Sequence, residues 1–143
     1  ISDFKENIIR LMQHPIMHKP ISELTGSEQS QAYELLNDLV ESSIDNSCTQ
    51  IDYIQISRLY YALGELAYEQ GDDPERIIKY FLSSLHSLEK GGIDLSPNKW
   101  AELVNLGILL GIELRKSDKI IRMLRIHNLV VCHDNESVSV TLP

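Results

Sequence analysis

Five basic side chains near the C-terminal end of the chain are the residues best placed for binding chemistry. They are Arg115, Lys116, Lys119, Arg122 and Arg125. At helical spacing, Lys119, Arg122 and Arg125 lie along one side of a helix, with Arg115 at its entrance. Such a surface can hold an acidic peptide or a phosphate group through charge-assisted hydrogen bonds. The alternative interpretation is a solvated helix face that pairs with the acidic N-terminal half of the same chain.

Histidine and cysteine are the other candidate ligands, but their spacing argues against a metal site. His14 and His18 are four residues apart, and Pro15 between them disfavours one continuous helix that presents both. His127, Cys132 and His133 cluster without the paired spacing of a zinc site. The sequence also lacks a Gly-x-Ser-x-Gly motif, a phosphate loop, a dinucleotide fingerprint and a His-Glu-x-x-His motif. We therefore expect a non-catalytic protein with no metal and no cofactor.

The charge balance disfavours nucleic acid and membrane partners. Thirteen basic and twenty-one acidic residues among 143 give a net charge of -8, which repels phosphate backbones and anionic lipid. The charge is uneven, because residues 1–50 carry -5, residues 51–96 carry -4 and residues 97–143 carry +1. The longest nearly apolar run, residues 103–112, has about half of the roughly 20 residues that a membrane helix needs. We expect no membrane-spanning segment.

Cysteine usage and the first residues indicate the compartment. Cys48 and Cys132 are far apart and form no Cys-x-x-Cys motif, which is typical of a reduced, intracellular protein. The N-terminus lacks a basic region followed by an apolar one, so we expect no signal peptide. These features predict a cytoplasmic, intracellular protein, with a nuclear location as the alternative. Because the sequence begins with Ile1, we expect a processed chain or a fragment of a longer one.

Helical spacing and capping signals divide the N-terminal half. A first helix is predicted over residues 3–13, ended by Pro15 and Pro20, with a short helix from residue 21 that ends at Gly26. Thr25 and Glu28 form a capping-box pattern for a helix with an acidic face that reaches about residue 41. The same pattern at Thr49 and Asp52 begins a helix that runs to about residue 70.

Caps and turns also divide the second half. Gly71 follows one helix, and Asp72 or Asp73 caps the next, which runs over residues 74–90 with Pro74 in its first turn. Ser96 and Pro97 begin a helix to about residue 114, and Ser117 caps a last helix that ends near Asn128. Alternation at Val138, Val140 and Leu142 predicts a β-hairpin over residues 129–142. The helix from residue 97 is expected to bury Trp100, Leu103, Leu106, Leu110 and Leu114.

Two segments of the chain are similar at an offset of 43 residues. The offset aligns Leu63, Gly64, Ile77 and Ile78 with Leu106, Gly107, Ile120 and Ile121. A period in this range is typical of helical arrays, in which each helix pair buries its apolar face on the next. We expect Gly64 and Gly107, which lack a Cβ atom, to let the partner helix of each hairpin approach closely. The alternative is two unrelated hairpins that match by chance.

The aligned residues resemble the tetratricopeptide repeat family over about residues 57–127. The first copy reads Tyr60, Leu63, Gly64, Ile77 and Phe81, and the second reads Leu103, Leu106, Gly107, Ile120 and Leu124. The chain departs from the family pattern, because Ile77 and Ile120 replace its usual Ala, Ala67 and Leu110 replace its Tyr, and the period exceeds about 34 residues. The resemblance implies stacked helical hairpins with a peptide groove. Tyrosines around the first copy pack in the core or line such a groove: Tyr53, Tyr60, Tyr61, Tyr68 and Tyr80.

A weaker resemblance is to DNA-binding folds. Residues 19–42 look like a helix-turn-helix, and residues 118–142 look like the last helix and wing of a winged-helix domain. However, the helix over residues 28–41 has no Lys or Arg, and the hairpin tip reads Asp134, Asn135, Glu136. Both surfaces would repel phosphate. Helical repeats closed by a winged helix also resemble scaffold subunits of large complexes.

The sequence therefore predicts one mainly α-helical domain over residues 1–143. It has N-terminal helices over residues 1–45, two tetratricopeptide-like hairpins over residues 50–127 and a β-hairpin over residues 129–142 that covers the exposed end.

We expect a protein-interaction module, as an adaptor, scaffold or regulatory domain. It would bind a protein or an acidic peptide in a helical groove or on the basic last helix. The alternative is a regulatory or DNA-binding domain of a transcription factor. Because two hairpins are fewer than a stable repeat stack needs, we also expect capping by the N-terminal helices, a homodimer or a larger assembly.

Overall fold

The structure is a computed structural model, and it describes residues 2–44, 49–112, 117–134 and 137–143. Within these ranges the protein is mainly helical and ends in a two-stranded antiparallel sheet. The helices are α1 (Ser2–Gln13), α2 (Gly26–Ile44), α3 (Gln50–Glu69), α4 (Pro74–Lys90), α5 (Pro97–Leu110) and α6 (Asp118–Ile126). The strands are β1 (Val130–Asp134) and β2 (Ser137–Thr141). The predicted fold class is confirmed, and the elements occur in the expected order.

The predicted capping boxes form in the structure. The Thr25 amide donates to Glu28 Oε1 and the Glu28 amide donates to Thr25 Oγ1, each at 3.2 Å. Thr49 and Asp52 make the same reciprocal pair at the start of α3, at 2.9 and 3.2 Å. Each box satisfies two amide groups that a helix N-terminus otherwise leaves without partners. These helix starts are therefore determined by side chains only three residues away.

Other single-residue caps also occur where the sequence indicated them. Asp73, Ser96 and Ser117 accept hydrogen bonds from the first turns of α4, α5 and α6. Two boundaries differ from the prediction. The segment before α2 contains only two short 3₁₀ turns, Pro15–His18 and Ile21–Glu23, and Gly26 begins α2 instead of ending a helix.

The helix α5 ends four residues before the predicted position. Gly111 adopts φ 101°, and the Ile112 amide donates back to the Gly107 carbonyl at 3.0 Å. This left-handed glycine turn satisfies the last carbonyls of the helix and stops it at Leu110. Leu114, which was expected in this helix, lies outside the described residues.

The buried side chains form two hydrophobic clusters. The first lies among α1, the 3₁₀ turns, α2 and α3, and includes Leu36, Leu63 and Leu66. The second joins α4, α5, α6 and β2, and Trp100 is its largest fully buried side chain. Since α3 belongs to the first cluster and α4 to the second, the contact between these two helices connects the halves of the protein.

Small residues allow α3 and α4 to lie very close together. Ser84 Oγ donates to the Ser57 carbonyl oxygen at 2.8 Å, and the two hydroxyl oxygens are 3.1 Å apart. A Cβ atom on Gly64 would lie 2.7 Å from the ring of Phe81 on α4. The expectation that Gly64 admits its partner helix is therefore confirmed.

The second copy of the sequence repeat packs differently. A Cβ atom on Gly107 would meet Ile112 at 2.6 Å and Ile78 of α4 at 2.9 Å, so the expectation that it faces α6 is wrong. Leu106 is 39% exposed whereas Leu63 is fully buried, so the prediction that Leu106 is buried is also wrong. The reason is that α5 lies on α4 through its Gly107 side, which turns Leu106 outward. Leu110 is half-buried, and Trp100 and Leu103 are buried as expected.

A side chain of α5, Asn105, hydrogen-bonds to the C-terminal sheet. Asn105 Nδ2 donates to the Val140 carbonyl at 2.9 Å, and the Val140 amide donates to Asn105 Oδ1 at 2.7 Å. The Val140 side chain lies in the second cluster and is 3% exposed. The amide of Asn105 thus occupies the position of a neighbouring strand. No helix in the described ranges is long and apolar enough to cross a membrane.

We predict that Gly64→Ala lowers the free energy of unfolding by about 1–3 kcal/mol, because the added methyl group overlaps the Phe81 ring. This result is opposite in sign to the helix propensity of Ala, which favours the substitution by about 1 kcal/mol. Gly26→Ala is the control, since nothing lies within 4 Å of its Cβ position. Urea unfolding measures both variants. A stabilised Gly64→Ala would contradict the close approach of α3 and α4.

We predict that Asn105→Ala lowers the free energy of unfolding by about 1–3 kcal/mol, because it leaves the buried amide and carbonyl of Val140 without partners. The exposed residue Asn98 on the same helix provides the control variant Asn98→Ala. Amide hydrogen exchange at Val140 should accelerate in Asn105→Ala alone. Unchanged exchange would show that the sheet does not depend on this side chain.

Candidate partner-binding site

A groove lies between α3 and α5, and we name it the α3/α5 groove. Its cavity is about 730 Å³. Ala62, Glu65, Tyr68 and Glu69 of α3 line it on one side, with Leu106 and Leu110 of α5 on the other. Leu66 and Phe81 also line it, and the segment around the 3₁₀ turns, with Met17 and Ile21, supplies a further wall. The volume is in the range of sites that accept a ligand or peptide side chains.

The surface of this groove is rich in exposed apolar side chains. Tyr68 lines this groove, and Tyr61, seven residues earlier on α3, lines an adjoining cavity; each is 55% exposed. Tyr61 packs against Phe81 with ring centroids 5.3 Å apart. Phe81 and Leu106 line both this groove and an adjoining cavity of about 240 Å³. A continuous apolar strip of this kind is typical of an interaction surface, whereas single exposed apolar residues are not informative.

The charges in the groove are predominantly acidic. Glu65 and Glu69 are four residues apart on α3, and both line the cavity. Burial raises the pKa of Glu65 above its ordinary value, and the carboxylate of Glu69 raises it further. Among the described residues, neither carboxylate forms a salt bridge, whereas Lys19 at the same cavity is already paired with Glu28 at 3.1 Å. The groove therefore has negative charge that a cationic partner could neutralise.

The predicted basic surface is only partly described. Arg115 and Lys116 lie outside the described residues, and the side chain of Lys119 on α6 does too. Arg122 and Arg125 are exposed on α6. Of these two, Arg125 lines a cavity and Arg122 lines none of the described cavities. The structure thus places these arginines away from the α3/α5 groove.

A second groove lies between α6 and the sheet, and we name it the α6/sheet groove. Its cavity is about 970 Å³. It is lined mainly by aliphatic side chains from α5, α6 and both strands, with Arg125, Asn128 and His133 as polar groups. Ile121, one of the predicted repeat-packing residues, is half-buried here. The remaining isoleucines of that set, Ile77, Ile78 and Ile120, are buried.

The candidate histidine ligands His14 and His127 make contacts that stabilise the fold. His14 Nδ1 accepts a hydrogen bond from the Ile16 amide at 3.2 Å, which caps the first 3₁₀ turn. His127 stacks on Trp100 with ring centroids 4.1 Å apart. In the part of the chain that the structure describes, no three His, Cys, Asp or Glu residues are arranged to hold a metal ion. Cys132 is a half-buried free thiol on β1, and Cys48 lies outside the described residues.

Sequence reasoning named the tyrosines near the groove but not its acidic pair or its α5 side. Glu65 and Glu69 could have been noticed, because two carboxylates four residues apart on a helix repel each other. The exposure of Leu106 in the groove could not have been predicted, because its spacing in the sequence is that of a core residue.

Comparison with known protein families, with curated proteins and with solved structures finds no match for this chain. The class of protein is defined here by the fold and the grooves. It is a mainly α-helical protein with a C-terminal two-stranded antiparallel sheet and an apolar, acidic groove between two of its helices.

We predict that Glu69→Gln lowers the pKa of Glu65 towards its ordinary value of 4.5, because it removes the neighbouring negative charge. The control is Glu34→Gln on the exposed face of α2. Carboxyl-carbon NMR titration measures the pKa of Glu65 in both variants.

The sign of the linked stability effect follows from the raised pKa. Ionised Glu65 is disfavoured in the folded protein, so the destabilisation appears as the pH rises and disappears when the carboxyl group is protonated. Glu65→Gln should therefore stabilise the protein more at about pH 7 than at about pH 3. An equal effect at both pH values would contradict the electrostatic interpretation.

Proposed function

We propose that this protein is a non-catalytic interaction module that binds a segment of a partner protein in the α3/α5 groove. The observation that carries the proposal is the apolar strip formed by Tyr61, Phe81 and Leu106 along two adjoining cavities. Aromatic and aliphatic side chains in a shallow groove provide the anchors that protein interfaces use. An adaptor, scaffold or regulatory domain fits this surface.

The charges favour a cationic, amphipathic segment as the occupant. A Lys or Arg of the partner that lies between Glu65 and Glu69 would relieve their mutual repulsion while its apolar neighbours contact Leu106. The net charge of -8 would attract such a segment from a distance. An acidic peptide would meet the opposite charge in this groove, so an acidic partner requires the α6 surface instead.

The resemblance to tetratricopeptide repeats supports the same proposal, because that family presents grooves between stacked helical hairpins. The α3 and α4 helices are consecutive along the chain and pack against each other, with Gly64 at the close approach. The DNA-binding alternative has less support, since Glu34, Asp38 and Glu41 are exposed along α2. They would repel phosphate from the helix that the helix-turn-helix interpretation requires.

We predict that Leu106→Glu weakens binding of a groove-selected peptide at least about tenfold, because it places a carboxylate in the apolar strip. Peptides are selected from a displayed random library on the whole chain, and the enriched sequence is synthesised and titrated by calorimetry. Ile126→Glu on α6 is the matched control, since Ile126 is exposed and lines none of the described cavities. The selected sequences should combine apolar residues with Lys or Arg.

The charge requirement has its own control. The double variant Glu65→Gln with Glu69→Gln should weaken binding of the peptide and make its affinity depend less on salt, because the acidic pair is removed. Glu34→Gln with Asp38→Asn changes the net charge equally on α2 and should have little effect. Selection of acidic peptides whose binding is lost in Arg122→Glu would contradict the proposal and favour the basic last helix. Duplex DNA that binds at physiological salt would favour the transcription-factor alternative.

A further inference from the structure

The two edges of the C-terminal sheet are not equivalent. In an antiparallel pair, residues whose backbone groups bond to the partner strand alternate with residues whose groups point outward. Both backbone groups of Val140 are bonded to Asn105 on α5, so they point away from β1. Val140 pairs with Val131, which makes this a pair without mutual hydrogen bonds. The outer edge of β2 is therefore partly covered by Asn105.

The same alternation exposes the outer edge of β1. Val131 belongs to the outward-pointing set, and His133, which pairs with Val138, is two residues further along. The amides and carbonyls of Val131 and His133 thus point away from β2. No described residue hydrogen-bonds to them, and the sheet has two strands within the described ranges. An edge with outward-pointing amides and carbonyls is a template for another strand.

The side chains on one face of this edge line the α6/sheet groove. Residues in register or two apart on a strand share a face, so Val131, His133, Val138 and Val140 lie on the same side of the sheet. Val140 is buried against α5, whereas Val131 is 40% exposed and lines the groove together with Val138. A strand added beside β1 would therefore place alternate side chains over the aliphatic groove.

The groove also has a cationic side chain, Arg125. Arg125 lines it from α6 and is exposed. Within the described part of the chain, Arg125 forms no salt bridge. A guanidinium group beside an apolar surface binds a carboxylate with two parallel hydrogen bonds.

We propose that the edge of β1 binds, by strand addition, an extended acidic segment of a partner protein. Backbone hydrogen bonds at Val131 and His133 hold the segment, its inward aliphatic side chains fill the α6/sheet groove, and one inward carboxylate pairs with Arg125. This surface is separate from the α3/α5 groove and prefers the opposite charge. The protein would then bind two different segments, one cationic and one acidic.

The test uses the whole chain and a synthetic seven-residue peptide whose three inward positions are Val, Glu and Val, with Thr and Ser at the four outward positions. Titration followed by amide NMR should show saturable shifts in β1 and α6. A peptide with Gln in place of Glu should bind about fivefold more weakly, because the charge-assisted hydrogen bonds to Arg125 are lost. Arg125→Gln should remove that difference, and Arg122→Gln should retain it.

The backbone contact is tested by proline on β1 and by methylation of the peptide amides. Val131→Pro removes an outward amide without removing a hydrogen bond between β1 and β2. It should weaken binding of the peptide at least about tenfold. Methylation of the peptide amides that face away from β1 is the control, and it should retain binding within about twofold. If Val131→Pro does not fold, N-methylation of the peptide amides that face β1 replaces it, with the same control.

The proposal is overturned if the peptide shows no saturable binding, or if its shifts lie in the α3/α5 groove. Equal effects of methylating the peptide amides that face β1 and those that face away from it also contradict it. Concentration-dependent dimers that Val131→Pro abolishes, without peptide binding, would assign the edge to a second copy of the chain. Leu106→Glu should leave this binding unchanged, which separates failure here from failure of the α3/α5 groove.

Discussion

The close approach of α3 and α4 is the constraint on which the rest of the structure depends. This contact connects the hydrophobic cluster around Leu36 and Leu63 with the cluster around Trp100. The helices approach so closely because a hydroxyl pair, Ser57 and Ser84, and a glycine, Gly64, lie where larger side chains would separate them. The hydrogen bonds of the serine pair satisfy polar groups that would otherwise be costly to bury. Tyr33 on α2 adds a connection to α4, through its hydroxyl contact with Tyr80 at 2.5 Å.

The position of α4 then affects the α3/α5 groove and the orientation of α5. Phe81 lies against Gly64 and reaches the space between α3 and α5, where it contributes to the apolar strip. Ile78 of the same helix lies against Gly107, which sets the rotation of α5 and turns Leu106 outward. That rotation also directs Asn105 towards β2, where its amide replaces a neighbouring strand. The contacts of α4 with α3 and with α5 thus influence what the α3/α5 groove exposes and which edge of the sheet is covered.

The distribution of charge gives the two grooves different chemistry. The whole chain is acidic, and the α3/α5 groove has the same sign through Glu65 and Glu69. The α6/sheet groove is mostly aliphatic and has Arg125 at its boundary. Since complementary charge governs encounter rate and specificity more than total affinity, the two surfaces would select different partners even where their apolar contacts are similar.

The sequence by itself determined the helix starts, the strand alternation and the fold class, because these depend on residues a few positions apart. Thr25 with Glu28 and Thr49 with Asp52 illustrate this, since each capping box closes over three residues. The repeat spacing also located Gly64 correctly. Only the tertiary structure decided that Leu106 is exposed while Leu63 is buried, and that Gly107 faces α4 instead of α6. Two helices with the same pattern differ in exposure because burial depends on which neighbours pack against them. No local sequence pattern specifies which neighbours pack against a helix. The groove at Leu106 and the hydrogen bonds between Asn105 and β2 therefore depend on tertiary packing.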